Sequence, residues 1–539
     1  MHRFGLSLVL ALVIANASCT STSEEGAGPP DGRCTKCDLA QEQTAPNMCV
    51  GIRGNGQLIF AHFGALARIF ESYGLVDGMA GGSSASITMF LTESVEINPA
   101  IYDCGDRSCD DREVGERAAT LLKSLEGYVS VLGETDEAIA FRTVIPIAQR
   151  VKAEGIDALV DTDPLAARDA LVNILSSDDL KDLVNQELLT LLRESPDPQM
   201  HAKDIIDSIA NVADFKADSD KIFLRPGIID FTALAGKLGR LGSFYAGYGP
   251  ADYAGTVAFL DSCTRSGSAW SEISGRSVGE STCGERFADL LTSYRSDWQA
   301  SPPSRSRIDD RVGGYVPALV STSVISGATA QSWRNARDDY RAARPHSFTP
   351  NFDDVQFGYW GHPYDMHVLA KNKHQYNDAK TNKFLSLGSA TWRTALSYSP
   401  AEPGLARALE IDDDLVSAGG WSDLHPTLVL RNLGCDKVVY ITRAGDESGF
   451  AQGVARLLGM KDADATALYD LDQDSAFDLS LREADASWCT DWNNQQAFPT
   501  GPIVSDAYNA TLATDDDYFN VGYANVSSSF SARGCTSKR

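Results

Sequence analysis

Apart from its opening segment, this 539-residue chain has no apolar run approaching eighteen residues, the length a membrane-spanning helix needs. It also lacks clustered cations: 47 Lys and Arg stand against 73 Asp and Glu, a net charge of −26. Phosphate backbones and anionic lipid surfaces are held by grouped Lys and Arg, so neither a nucleic-acid partner nor polybasic lipid binding is expected. No internal repeat at solenoid periods occurs, which excludes a repeat array. The acidic runs Asp412–Asp414 and Asp515–Asp517 lack the spaced oxygen donors and turn glycine of a calcium loop, and read as solvated surface. Cys34-Thr35-Lys36-Cys37 has no second CxxC to complete a zinc site. No metal and no cofactor is expected. None of these absences touches the core, because 43% hydrophobic and 22% charged residues is an ordinary globular balance.

The opening segment has His2 and Arg3, an apolar stretch from Phe4 to Ala15, then small residues up to Cys19. This is the pattern of a signal peptide (residues 1–18), so an exported protein is expected. ANASC admits cleavage after Ala17 or, as a bacterial lipoprotein, before Cys19. Lipidation of Cys19 is favoured because eleven cysteines are odd and its removal leaves ten. An anchored chain would sit at a membrane surface of the cell envelope; an unanchored one would be secreted or periplasmic. Residues 19–44 are polar and rich in Gly and Pro, as a tether should be. In an oxidising compartment the pairs Cys34/Cys37, Cys104/Cys109 and Cys263/Cys283 are plausible disulfides, and Cys489 and Cys535 are candidates to staple the tail.

Met48 to Ile52 reads as a buried strand, and Gly54 to Gln57 as a tight loop. Phe60, Phe63, Leu66, Ala67, Phe70 and Tyr73 fall at helical spacing before a capping Gly74. Leu75 to Met79 reads as a second strand running into GGSSAS, and Ile87 to Val95 as a helix. Alternating strands and helices imply an α/β fold with crossover helices. Residues 45–95 form the first part of that core. Residues 96–311 read as a large, mainly helical insertion, with helix starts at Asp163-Pro164 and Ser177; the aromatic, glycine-rich Phe244 to Leu260 reads as a packed loop or, as the alternative, a lid. Strand character returns in 312–445, at Tyr315 to Ile325 and Asp436 to Arg443, with Phe384 to Pro400 between them read as a helix. Residues 446–539 read as an acidic, loop-rich extension.

The chemistry centres on Ala80 to Ser86, AGGSSAS, between a strand and a helix. A serine on such a turn is pushed out of the sheet, small neighbours let the backbone close, and the helix N-terminus faces developing negative charge. The frame Gly81-Gly82-Ser83-Ser84-Ala85 makes Ser83 the nucleophile; the alternative frame makes it Ser84. Upstream, backbone N–H groups of Gly54, Asn55 and Gly56 are candidates for an oxyanion hole. A dinucleotide fingerprint fails there, because Ile59 stands where its last glycine is required.

GNGQLIFAHFGAL (Gly54 to Leu66) followed by the serine turn resembles the patatin-like phospholipase family, with Leu58 and His62 at positions its adipose-triglyceride-lipase branch also fills with Leu and His. SLGSATWRTALSYSPAEPG resembles the family's helix before the last catalytic strand. Leu415 to Arg443 resembles its D-G-G loop, proline segment and final strand. The likeness covers residues 45–95 and 312–445. It implies a three-layer fold with a central, mostly parallel sheet, and a serine lipid acyl hydrolase acting on phospholipid or neutral acylglycerol without a cofactor. Two departures stand out. The family's loop cation is missing, and only Arg53 before the loop offers a charge. The residue before Gly419-Gly420, where the family has its general-base Asp, is Ala418. Three readings remain: Asp423 is the base, His425 is the base oriented by Asp423, or the site has lost hydrolysis and the protein is a lipid-anchored binding or scaffold protein.

Overall fold

The computed structural model describes residues 48–54, 59–131, 144–178, 180–210, 224–246, 307–348, 354–361, 384–401, 406, 409–419, 426–443 and 484–490. These residues make an α/β fold built on one mixed, mostly parallel sheet of nine strands. In chain order the strands are β1 (Met48–Ile52), β2 (Gly78–Gly82), β3 (Ala318–Ile325), β4 (Val355–Gly361), β5 (Phe384–Ser386), β6 (Leu409–Ile411), β7 (Asp414–Ser417), β8 (Lys437–Arg443) and β9 (Ala486–Thr490). Their spatial order is β9-β8-β1-β2-β3-β4-β5, with β7 pairing β3 and β6 pairing β7. The run from β9 to β3 is parallel throughout, and β3 to β4, β3 to β7 and β6 to β7 are antiparallel.

β1 is buried along its whole length, as a strand covered on both faces must be. Alternate residues feed different cores. Val50, Ile52, Met79, Val320 and Ile441 share one with α1 (Phe60–Tyr73) and α2 (Ser84–Glu96). Cys49, Ala80, Leu319 and Val438 pack on the other side with Val429, Leu430 and Leu433, from α11 (Thr427–Asn432) and its C-cap.

Helix α1 forms where its apolar spacing predicts and ends at Gly74, whose φ of 87° only glycine adopts readily. Strand β2 differs from expectation. It begins at Gly78, not Leu75, and runs through Gly82. Leu75 and Val76 are buried ahead of it, with the Val76 amide donating to Glu96 Oε1 at 3.0 Å. The GG pair stays in the strand, paired with β1 and β3, and close packing requires glycine there: a Cβ on Gly81 would lie 2.7 Å from Ala85 Cβ and from the Ile52 carbonyl.

Among the described residues the helices longer than two turns between α2 and β3 are α3 (Asp111–Val131), α4 (Val144–Ala153), α5 (Pro164–Leu175), α6 (Gln186–Glu194), α7 (Pro198–Ala210) and α8 (Phe231–Tyr245). Their buried residues belong to the same hydrophobic core as the sheet. Asp163 caps α5, accepting from the Ala166 amide at 3.1 Å, with Pro164 at the first helical position. Ser177 is a correction. It starts only a single turn, its hydroxyl donating to the Ile174 carbonyl, and the next full helix, α6, is capped by Asn185. The segment Phe244 to Leu260, read as packed loop or lid, lies outside the described residues from 247 onward, as do Cys34, Cys37, Cys263, Cys283 and Cys535.

Two further expectations change. Phe384–Ser386 is strand, not helix, and α10 (Trp392–Tyr398) follows it, capped by Thr391, which accepts from the Thr394 amide. β9 lies in the stretch read as an extension, yet it adds a parallel edge strand beside β8. Asp412 and Asp413 are exposed and form the hairpin turn between β6 and β7, Asp412 at φ 54°. Helix α9 (Gly327–Arg341) follows β3 and buries Trp333, Ala336 and Tyr340. Cys104 and Cys109 are disulfide-bonded as expected. The pairing of Cys49 with Cys435, from β1 to the turn before β8, was not foreseen.

Candidate active site

Ser83 sits where β2 ends and α2 begins, with φ 54° and ψ −130°. A non-glycine residue in that region is strained, and such strain persists only where the surroundings enforce it. Several contacts enforce it here. The Ser83 carbonyl accepts from the Ser86 amide at 2.9 Å and from Ser86 Oγ at 2.6 Å. The Ser83 amide donates to Ser399 Oγ at 2.9 Å, just past the end of α10. Ser84, by contrast, is the first residue of α2. Both serines are buried, at 7% and 6% exposure, so burial does not separate them and the backbone does.

Gly54 follows β1 and lies against this turn. A Cβ at Gly54 would stand 2.8 Å from the Gly82 carbonyl and 3.1 Å from Ser83 Cβ. The glycine is therefore required by close approach, and it brings the start of the expected oxyanion loop beside the serine. Asn55 and Gly56 lie outside the described residues. Both Ser83 and Gly54 stand at the C-terminal ends of adjacent parallel strands, the edge where open α/β sheets place ligands.

The chain after β7 arrives at the same point. A Cβ on Gly82 would meet Ser321 Oγ at 2.0 Å and the Gly419 backbone at 3.1 Å. Gly419 is equally confined, with Ser399 Oγ and the Ser321 carbonyl inside 3 Å of its own notional Cβ. A web of buried hydroxyls fixes this stretch: Ser321 Oγ donates to the Gly419 carbonyl, Ser323 Oγ to Ala418, and Thr322 Oγ1 to Ser417. Ala418 is fully buried and offers no proton acceptor in its side chain.

Asp423 and His425 lie outside the described residues, but both ends of their segment are placed. Gly419 touches Gly82, and Pro426 with Thr427 lies 3.7 Å from the notional Cβ of Gly51 in β1. Residue 423 is four residues from Gly419, a reach of at most ~14 Å along an extended chain. Among the described residues no carboxylate or imidazole hydrogen-bonds Ser83 Oγ. Cys19 is likewise outside them.

Two buried polar groups lie near the loop. Arg53, 1% exposed, donates its amide to the Ile441 carbonyl and so ends β1 against β8. His62 on α1 is wholly buried, with Nδ1 3.0 Å from Thr88 Oγ1 on α2. Desolvation outweighs a hydrogen bond to the Arg53 backbone that favours the cation and, with the Arg53 charge adding to it, lowers the His62 pKa to about 3, so the ring is neutral. His62 was visible in the sequence only as a motif position; its bond to Thr88 was not. Ser321 and Ser399 were missed altogether, although three hydroxyls in succession inside an apolar strand, Ser321-Thr322-Ser323, signal buried donors that must find partners.

Comparison of the chain with protein-family models, with curated proteins and with solved structures gives no match in any of the three.

Proposed function

We propose that the protein is a serine acyl hydrolase of patatin-like fold that cleaves lipid acyl esters through an acyl-enzyme on Ser83. The observation that carries this reading is the backbone of Ser83, held at positive φ between β2 and α2 with Gly54 packed against it. Ser83 Oγ attacks the ester carbonyl, the base takes the hydroxyl proton, and the carbonyl oxygen becomes an oxyanion. The Ser83 amide is already bonded to Ser399, so stabilisation is assigned to the amides that follow Gly54. Collapse of the intermediate expels the alcohol, which takes the proton, and water then releases the fatty acid.

Asp423 is assigned as the base in place of Ala418. Its support is chain reach: the segment that carries it starts at Gly419 beside Gly82 and returns at Pro426 beside Gly51. His425 belongs to the same segment and is the alternate base. The strongly negative chain favours neutral or zwitterionic lipid over anionic bilayers. The opening segment supports export with an anchor on Cys19. The second reading, a non-catalytic lipid-anchored binding or scaffold protein, is favoured by the buried methyl of Ala418 where the family has its carboxylate.

Release of fatty acid or p-nitrophenol from acyl esters by purified protein separates these. We expect Ser83→Ala to abolish release, Ser84→Ala to retain it, and Asp423→Asn to lower kcat by about 10²-fold or more. Loss in His425→Ala with Asp423→Asn active would move the base. Inactivity of folded wild type would support the scaffold.

A further inference from the structure

The Ser83 amide is engaged in a way the reaction itself does not require. Its hydrogen goes to Ser399 Oγ at 2.9 Å, and the single proton of that hydroxyl goes to the Ser321 carbonyl at 2.7 Å. Ser399 is fully buried and stands at the C-cap of α10, its own amide donating to the Ala395 carbonyl and its carbonyl accepting from the Gly419 amide. One residue thereby joins four parts of the site: the serine turn, the middle of β3, the end of α10 and the chain after β7. Sequence separates Ser83 from Ser399 by 316 positions, so this is a tertiary bond and not a local turn.

A peptide unit in the strained region relaxes unless something opposes it. The carbonyl side of Ser83 is held within the first turn of α2 by Ser86. On the amide side the Ser83 N–H donates to Ser399 Oγ. We infer that Ser399 is a positioning residue, whose hydroxyl fixes the Ser83 peptide so that the nucleophile is held beside Gly54. Its hydroxyl bonds the Ser83 amide and the Ser321 carbonyl and not Ser83 Oγ, so its role is to position and not to react. Gly82 and Gly419 leave no space for another side chain to replace it, since any Cβ at either position would strike Ser321 or Ser399. The inference rests on the reading of Ser83 as the nucleophile.

The test compares wild type, Ser399→Ala and Ser397→Ala. Ser397 is the control, because its hydroxyl bonds only the Arg393 carbonyl within α10. The readouts are the rate of labelling by a fluorophosphonate and the kcat and KM of ester hydrolysis, on samples whose melting curves establish folding. Ser399→Ala should label and turn over about 10²-fold more slowly, the scale of a displaced reacting group, with KM moved by less than about threefold. Ser397→Ala should stay near wild type. If Ser399→Ala does not fold, Ser399→Cys is measured, which keeps a weak acceptor and should label at an intermediate rate. Equal rates in wild type and Ser399→Ala, or an equal loss in Ser397→Ala, overturn the positioning role while Ser83 remains the nucleophile. A folded wild type that neither labels nor hydrolyses esters overturns the nucleophile reading, and the positioning role with it.

Discussion

At the scale of single residues, close approach decides more than propensity does. Gly82 is a glycine because its neighbour across the sheet, Ser321, directs a hydroxyl to where a methyl would be, and that hydroxyl already bonds the Gly419 carbonyl. Gly82→Ala should therefore cost about 1–3 kcal/mol as an overpacked core site and lower activity with it. Gly236 in α8 is the natural contrast. Nothing lies within 4 Å of a Cβ there, so Gly236→Ala should stabilise by about 1 kcal/mol through helix propensity. Denaturant midpoints of the two variants check both signs. The GGSSAS string carried the serines and their flanking small residues legibly, and of the two serines it is Ser83 whose backbone takes the positive φ before α2. The hydroxyl partners were not legible, because Ser399 and Ser321 reach the turn from segments hundreds of residues away.

At the scale of elements, the α1–α2 pair holds a histidine in a setting hostile to charge. His62 is neutral in the folded protein down to about pH 3, whereas the unfolded chain protonates it near 6.5. Between those values only the unfolded state holds the proton. The stability this gives is fully present above pH 6.5 and shrinks by about 1.4 kcal/mol per unit as pH falls through that window. Urea unfolding at pH 6.5 and at about pH 5 should show wild type losing about 2 kcal/mol more than His62→Asn. An identical pH response in the two proteins would contradict it. Elements with local signals were readable: the periodic α1, the Asp163-Pro164 start of α5 and the apolar β8. Ser177 misled because the same hydroxyl that caps a helix can donate to the turn before it. β9 escaped notice because an edge strand of five residues is defined by its pairing with β8 and has little pattern of its own.

At the scale of the molecule, strands distant in sequence assemble the candidate site. β1, β2 and β3 lie side by side, although β3 begins 235 residues after Ser83, and the chain after β7 closes on the glycine pair. The disulfide between Cys49 and Cys435 ties β1 to the turn that follows α11 across a separation of 386 residues. Cross-links that close long loops restrict the unfolded chain most, so Cys49→Ala with Cys435→Ala should cost about 2–5 kcal/mol. The pair Cys104 and Cys109 closes only five residues and should matter less. Thermal melts of the two double mutants measure the difference. The α/β class was legible from alternating strands and helices. The cysteine pairing was not, since spacing cannot report a contact between the first strand and one of the last.

The central proposal is that Ser83, buried where β2 gives way to α2, is a nucleophile that a small electrophile can reach. Labelling folded protein with a fluorophosphonate and mapping the adduct by peptide mass spectrometry tests this most directly. The account predicts one adduct, on Ser83, lost in Ser83→Ala and kept in Ser84→Ala. An adduct on Ser84, or none on folded protein, would contradict it.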